Sequence, residues 1–171
     1  MKVELVPAHP NLAPALFAVV DASRDFLGEW LTWTATTNSV ADEVAFLAAQ
    51  AAEHAAGTGH MFVIRADGHA VGGIDLHNID AQNRHAEVGY FLGRAHTGQG
   101  IMHTALVELE NYAFGELGLH KLTIVAAKAN VASRRVAERA GYDYIGDSPA
   151  ELYLHERYYD AAVYVKIAAR K

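Results

Sequence analysis

The stretch Arg94-Ala95-His96-Thr97-Gly98-Gln99-Gly100-Ile101-Met102 constrains this chain more than any other, because it joins its best strand to its best helix through a glycine turn. Before the turn, Ala86 to Leu92 is rich in strand-forming residues and too short for a helix. After it, Met102, Leu106, Leu109 and Ala113 recur at helical spacing, predicting a helix through Leu117 that Gly118 ends. Two glycines let backbone amides converge without side-chain obstruction, and the following helix N-terminus adds unsatisfied N–H groups and partial positive charge. Such a turn cradles a phosphate. Taken alone, Gly98 and Gly100 would equally serve an ordinary turn, so the context must decide. A Walker loop needs Gly-Lys-Ser/Thr where this chain has Gly100-Ile101-Met102. A dinucleotide loop needs three glycines early in a parallel unit, whereas this turn follows a series of hairpin strands. A different phosphate-bearing cofactor is implied.

The remaining pattern is that of a mixed α/β protein. Lys2 to Val6 alternates like a strand, and Pro14 sits in the first turn of a helix through Leu16 and Val20, where its missing N–H costs nothing. Arg24 to Trp33 is aromatic and mixed in period; Trp30 and Trp33 are expected to pack in the core. Ser39 caps an alanine-rich helix to about Ala56, stopped by Gly57-Thr58-Gly59. His60 to Arg65 and His69 to His77 are strands joined by Ala66-Asp67-Gly68; a loop from Asn78 to Asn83 follows, then a third strand from Arg84 to Leu92. Lys121 to Ala126 and Ala161 to Ile167 complete the strands. The predicted order is β-β-β-α-β-α-β, with no repeat or linker, so residues 1–171 read as a single domain.

At this point the sequence resembles the GNAT N-acetyltransferase family, whose Gln/Arg-x-x-Gly-x-Gly/Ala turn lies between the fourth strand and the next helix. Ala95-His96-Thr97-Gly98-Gln99-Gly100 matches both glycines, with Ala95 in place of the opening basic or amide residue. Asn130-Val131-Ala132-Ser133 and the Gly141-Tyr142 that closes the same helix resemble a second family motif. Ser23 to Trp33 resembles the Asn-Arg-x-x-Leu-x-x-Trp-Leu-x-Trp segment of the RimJ/RimL-like ribosomal-protein N-terminal acetyltransferase branch. The resemblance runs from about Leu5 to Val165.

It implies a mostly antiparallel central sheet with flanking helices, in which two central strands splay to form a cleft for acetyl-CoA, used as co-substrate without a metal. Thr97, Gly98, Gln99, Gly100, Ile101 and Met102 would hold its pyrophosphate, with Tyr90, Phe91, Leu92, Asn130 and Ser133 along the pantetheine arm. Asn130 is also a natural helix N-cap. Many relatives place a tyrosine seven residues after the asparagine to protonate the departing thiolate; that position is Ala137, and the branch's substitute, a serine three residues on, is Ser133. The branch's Asn-Gly before the last strand is His155-Glu156, and its Met-Thr-Glu-Ala is Met102-His103-Thr104-Ala105, while Asp160 and Tyr164 match.

Acetyl transfer to an amine needs a neutral nucleophile, a polarised acyl carbonyl and a stabilised leaving thiolate. An α-amine, with pKa ~7.7 to 8, needs only a modest base, whereas a lysine amine near ~10.4 needs more. Glu87, on the strand lining the cleft, is the first base candidate and Glu151, in the acidic and aromatic segment before the last strand, the second. Either is also an ordinary surface carboxylate.

Composition narrows the rest. The absence of cysteine excludes disulfides and thiolate chemistry. A net charge of −6 disfavours nonspecific nucleic-acid binding and favours a cationic acceptor. Ten scattered histidines form no ligand motif, and no window approaches the ~20 apolar residues of a membrane span. These features point to a cytoplasmic protein, and the resemblance implies an enzyme acting on a protein N-terminus. A small-amine acetyltransferase and a non-catalytic CoA-binding sensor are the alternatives, and a homodimer is left open.

Overall fold

The computed structural model describes residues 1–169. Seven strands form one mixed sheet: β1 (Val3–Pro7), β2 (His60–Ala66), β3 (His69–Asp80), β4 (His85–Leu92), β5 (Lys121–Ala127), β6 (Asp143–Leu154) and β7 (Arg157–Ile167). Their order is β1-β2-β3-β4-β5-β7-β6. Every neighbouring pair is antiparallel except β4 and β5, which are parallel. A parallel pair needs a long crossover, and the chain supplies it as α4 (Ile101–Glu110).

The helices form where the residues allow. In α1 (Ala13–Ala22), Pro14 occupies the first turn. The N-terminus of α3 (Val40–Ala56) is closed reciprocally: Ser39 Oγ accepts from the Asp42 N–H, and Asp42 Oδ2 accepts from the Asn38 N–H at 2.9 Å. Gly57, at φ 72°, ends it as a left-handed cap. The predicted helix through Leu117 is α up to Glu110 and π from Asn111 to Glu116, so the span holds while its last turn widens. A short α2 (Arg24–Gly28) and a 3-10 turn (Thr32–Ala35) follow α1, and α5 (Val131–Arg139) follows β5.

Alternation along the strands sorts side chains to two faces. Ile74, Leu76, Ala86, Val88, Leu122 and Ile124 meet Ile101, Ala105, Leu106 and Leu109 of α4 in the larger core. On the opposite face, Met61 and Val63 meet Leu12, Leu16 and Leu47 beneath α1 and α3.

Two expectations fail in the second half and one at β3. Strand β6 was not anticipated, because Gly146 and Pro149 interrupt its period; it is an edge strand with register shifts at Tyr144/Gly146 and Ser148/Leu152, where such residues are tolerated. Strand β7 begins at Arg157, not Ala161, because β6 pairs with it through a two-residue turn. His155 and Glu156 form that turn with both φ values positive, 51° and 59°, a conformation usually given to Asn-Gly. It is held from outside: His155 Nε2 lies 2.8 Å from the Gly28 carbonyl oxygen. The expected loop from Asn78 to Asn83 is shorter, since β3 runs past a bulge at Asn78 to Asp80, whose carboxylate accepts from the Asn83 N–H.

One ion pair ties three elements. Lys166 Nζ of β7 donates to Glu110 Oε2 of α4 at 2.6 Å and to the Ala140 carbonyl at 2.8 Å. Glu110 is buried, so removing its partner strands a charge. Lys166→Met is expected to cost about 3 kcal/mol, a drop of roughly 6 to 12 °C in Tm by thermal denaturation.

Candidate active site

The parallel contact between β4 and β5 lasts three residue pairs, His85–Lys121, Ala86–Leu122 and Glu87–Thr123, and then ends. Strand β4 stays paired to β3 as far as Leu92, and β5 to β7 as far as Ala127, so both continue while the space between them opens. The opening widens toward the C-terminal ends of both strands, where chain reversals bring their following loops and helix starts.

At the β4 end lies the glycine turn. Gly98 and Gly100 adopt φ of +75° and +79°, a region L side chains avoid, and a Cβ on either would project into open space. The first bond of α4 runs from the Thr104 N–H to the Gly100 carbonyl, so Ile101, Met102 and His103 lack intrahelical acceptors. No side chain caps the helix. Gln99 instead folds back, its Nε2 donating to the Ala95 carbonyl at 2.9 Å, which closes the loop without obstructing its amides. A converging, uncapped set of donors at a helix N-terminus fits an anionic pyrophosphate.

At the β5 end, Asn130 caps α5 as expected, its Oδ1 accepting from the Ser133 N–H at 3.2 Å. Ser133 is joined to β4 by a contact that spacing does not reveal. The Tyr90 hydroxyl lies 2.9 Å from the Ser133 carbonyl oxygen and 3.0 Å from Ser133 Oγ. One consistent arrangement has the phenol donating to the carbonyl while its oxygen accepts from the serine hydroxyl. Burial pushes the phenol up to about 12, so it stays neutral and able to donate throughout the physiological range. Tyr90 thus bridges the opening at its base.

On the other face, away from α4, Glu87 occupies the last paired position before the strands part. Its Oε2 lies 3.4 Å from His77 Nε2 of β3. Glu151, the second base candidate, is exposed on edge strand β6, with β7 and β5 between that strand and β4; its carboxylate accepts from the Ser148 hydroxyl. Phe91 is met edge-on by Trp33 at 5.2 Å between ring centroids, and Trp30 meets Tyr159 of β7 at 6.0 Å. Trp33 is 38% exposed, so its expected place in the core is only partly realised: the ring overhangs the sheet face beside Phe91.

Residues 2–143 match the model of the acetyltransferase (GNAT) domain. The chain belongs to the GNAT acetyltransferase family. As a GNAT protein it is an enzyme of the acyltransferase type. It is 41% identical over 98 residues to a putative ribosomal N-acetyltransferase, YdaF, of Bacillus subtilis, a match covering 57% of this chain and 54% of that one. It is 27% identical over 165 residues to the ribosomal-protein-serine acetyltransferase of Escherichia coli, covering 96% and 92%. Among solved structures, RimL, a ribosomal L7/L12 alpha-N-protein acetyltransferase in complex with coenzyme A, superposes with a TM-score of 0.93 at 26% identity, covering 98% of this chain and 94% of that one. The family match ends where β6 begins, so the β6–β7 hairpin lies beyond the matched residues, while α2, which it touches, lies within them.

This GNAT enzyme depends on Tyr90 to tie α5 to β4. Tyr90→Phe is expected to cost about 1 kcal/mol, the usual net worth of a hydrogen bond. Thermal denaturation should show Tm about 2 to 4 °C lower.

Proposed function

We propose that this enzyme, as a single N-acetyltransferase domain, transfers acetyl from acetyl-CoA to the α-amine of a protein or peptide, by direct attack within a ternary complex. The observation that carries the reading is the divergence of β4 and β5 beyond Glu87 and Thr123. It leaves one opening with an anion-binding turn at its wide end and a carboxylate at its apex. The likeness to RimL, a ribosomal L7/L12 alpha-N-protein acetyltransferase, over nearly the whole chain supports an α-amine as the acceptor.

Bound acetyl-CoA supplies an activated acyl thioester. Amides of Thr97 through Met102 hold its pyrophosphate, Tyr90, Phe91 and Leu92 line the arm, and Asn130 adds a hydrogen-bonding side chain at the β5 side. A backbone N–H of the unpaired side of β4 polarises the acyl carbonyl. Glu87 takes a proton from the acceptor ammonium, and Ser133 gives one from Oγ to the departing sulfur, turning away from Tyr90 to do so, and recovers one from the second proton the nitrogen sheds as the amide forms. Glu151, hydrogen-bonded to Ser148 on the edge strand, is the weaker base candidate. The net negative charge of −6 favours a cationic N-terminus over an acidic acceptor.

Five measurements test this. Gly98→Val and Gly100→Val should fold and lose at least about tenfold in acetyl-CoA affinity by calorimetry, because each adds bulk where the amides converge and strains a left-handed residue. Wild-type affinity in both would remove the cofactor assignment. Ser133→Ala should lower kcat by about tenfold or more with acetyl-CoA binding retained, since the lost interaction forms as charge develops. Glu87→Gln should lose most turnover near neutral pH and regain part as the free amine becomes abundant. Turnover against a panel of N-terminal peptides, small amines and polyamines identifies the acceptor class: a preference for small amines would overturn the α-amine reading. Parallel initial-velocity lines would exclude the ternary complex.

A further inference from the structure

One group of ionisable side chains beside the cleft has no part in the transfer as described. Asp75 and His77 of β3 share with Glu87 the sheet face turned away from α4. His77 Nδ1 lies 2.6 Å from Asp75 Oδ1, and its Nε2 lies 3.4 Å from Glu87 Oε2. The absence of a side chain at Gly89 makes room for this row: a Cβ there would stand 2.7 Å from Asp75 Oδ2. Gly89 lies two residues beyond the last pairing with β5, so the Asp75 carboxylate lies across the β4 backbone at the start of the opening. Among the described residues, no group of three histidines or acidic residues is disposed to hold a metal ion.

We infer that Asp75 and His77 are positioning residues that act through Glu87, relaying to solvent the proton that Glu87 removes from the acceptor. The inference rests on the reading of Glu87 as the base. An α-amine with pKa ~7.7 to 8 arrives mainly as ammonium at neutral pH. Acetyl transfer from a thioester to that ammonium forms an amide and a thiol and releases one proton, which must leave the cleft each turnover. With its Nδ1–H donated to Asp75, the neutral imidazole has its Nε2 lone pair on the side of Glu87. The proton moves from ammonium to the Glu87 carboxylate, from that carboxyl to His77 Nε2, and from the imidazolium to water. Each transfer regenerates the previous group. The His77 side chain is 45% exposed, so the last step has direct access to solvent.

The surroundings favour this use of the imidazole. The hydrogen bond to Asp75 raises its pKa above the ordinary 6.5 against the opposing effect of burial, with the charges of Asp75 and Glu87 adding to it. Those two carboxylates are the charged groups acting on it. Strand β2 places Met61 opposite Asp75, and the helices over this face contribute Leu12, Leu16 and Leu47. Because the relay needs the neutral ring, it works above the raised pKa and fails below it. Removing Asp75 withdraws the stabilisation of the cation and shifts that limit to lower pH.

The test compares pH profiles of kcat for the wild-type enzyme, His77→Gln, Asp75→Asn and Glu87→Gln, using the acceptor that the panel shows to be turned over, with saturating acetyl-CoA and thermal denaturation as the check of folding. His77→Gln should lower kcat at pH 7 by roughly 10- to 100-fold and lose the acid-side inflection. Asp75→Asn should keep that inflection at a lower pH. Turnover of His77→Ala should rise with added imidazole, which replaces the missing proton carrier, while the wild type should not respond. If Glu87→Gln is inactive near neutral pH but His77→Gln keeps the wild-type profile and His77→Ala ignores imidazole, the relay is overturned and the base assignment stands. If Glu87→Gln keeps the wild-type profile, both fall. If His77→Gln does not fold, the inflection in Asp75→Asn and the imidazole response decide.

Discussion

The parting of β4 from β5 is the constraint on which the rest of the structure depends. Both strands remain anchored on their outer sides, β4 to β3 and β5 to β7, so the gap is an opening in a stiff sheet and not a frayed edge. Breaking a ladder leaves backbone donors and acceptors that must be satisfied by something else. Tyr90 of β4 ties that strand to the first turn of α5, its hydroxyl reaching both the carbonyl and the side chain of Ser133, and leaves the backbone edges of the gap unpaired. The remaining length offers an extended ligand the backbone groups a neighbouring strand would have used.

The two faces of the sheet divide the work. The α4 face carries most of the apolar burial, and the Lys166–Glu110 pair joins α4, the end of α5 and β7 into one support behind the opening. The opposite face is less completely covered. There Asp75, His77 and Glu87 stay half-buried, close enough to exchange protons yet open to water, and Trp33 overhangs Phe91 beside them. Half-burial keeps such groups coupled and ionisable: full burial would raise the cost of charging them, and full exposure would uncouple them.

The β6–β7 hairpin is also where elements far apart in sequence meet. His155, at the tip of the β6–β7 hairpin, reaches the carbonyls of Gly28 and Glu29, and Trp30 meets Tyr159. These contacts span from the α2 region to the far side of the sheet. The hairpin side of these contacts, His155 and Tyr159, lies beyond the residues matched by the family model, which ends at 143, whereas Gly28, Glu29 and Trp30 lie within them.

The turn after β4, the helix beyond it and the cap of α5 were legible in the residues because their signals are local. Gly98 and Gly100 announce a left-handed turn, the apolar spacing of Met102, Leu106 and Leu109 announces the helix after it, and Asn130 announces the cap of α5. Each depends on neighbours within a few positions, where backbone sterics and helical periodicity act. Strand β6 was hidden because an edge strand tolerates Gly146, Pro149 and bulges, so its alternation is lost. The His155-Glu156 turn was hidden because it carries no turn-forming pair and relies on a contact with α2. The Tyr90–Ser133 bridge and the Asp75–His77–Glu87 row join residues whose nearness is set by strand register and by the packing of α5 against the sheet. Local chemistry therefore wrote the family, the glycine turn and the helix ends into the chain, while the gathering of ionisable and hydroxyl side chains around the opening came only from strand pairing and helix packing across long sequence separations.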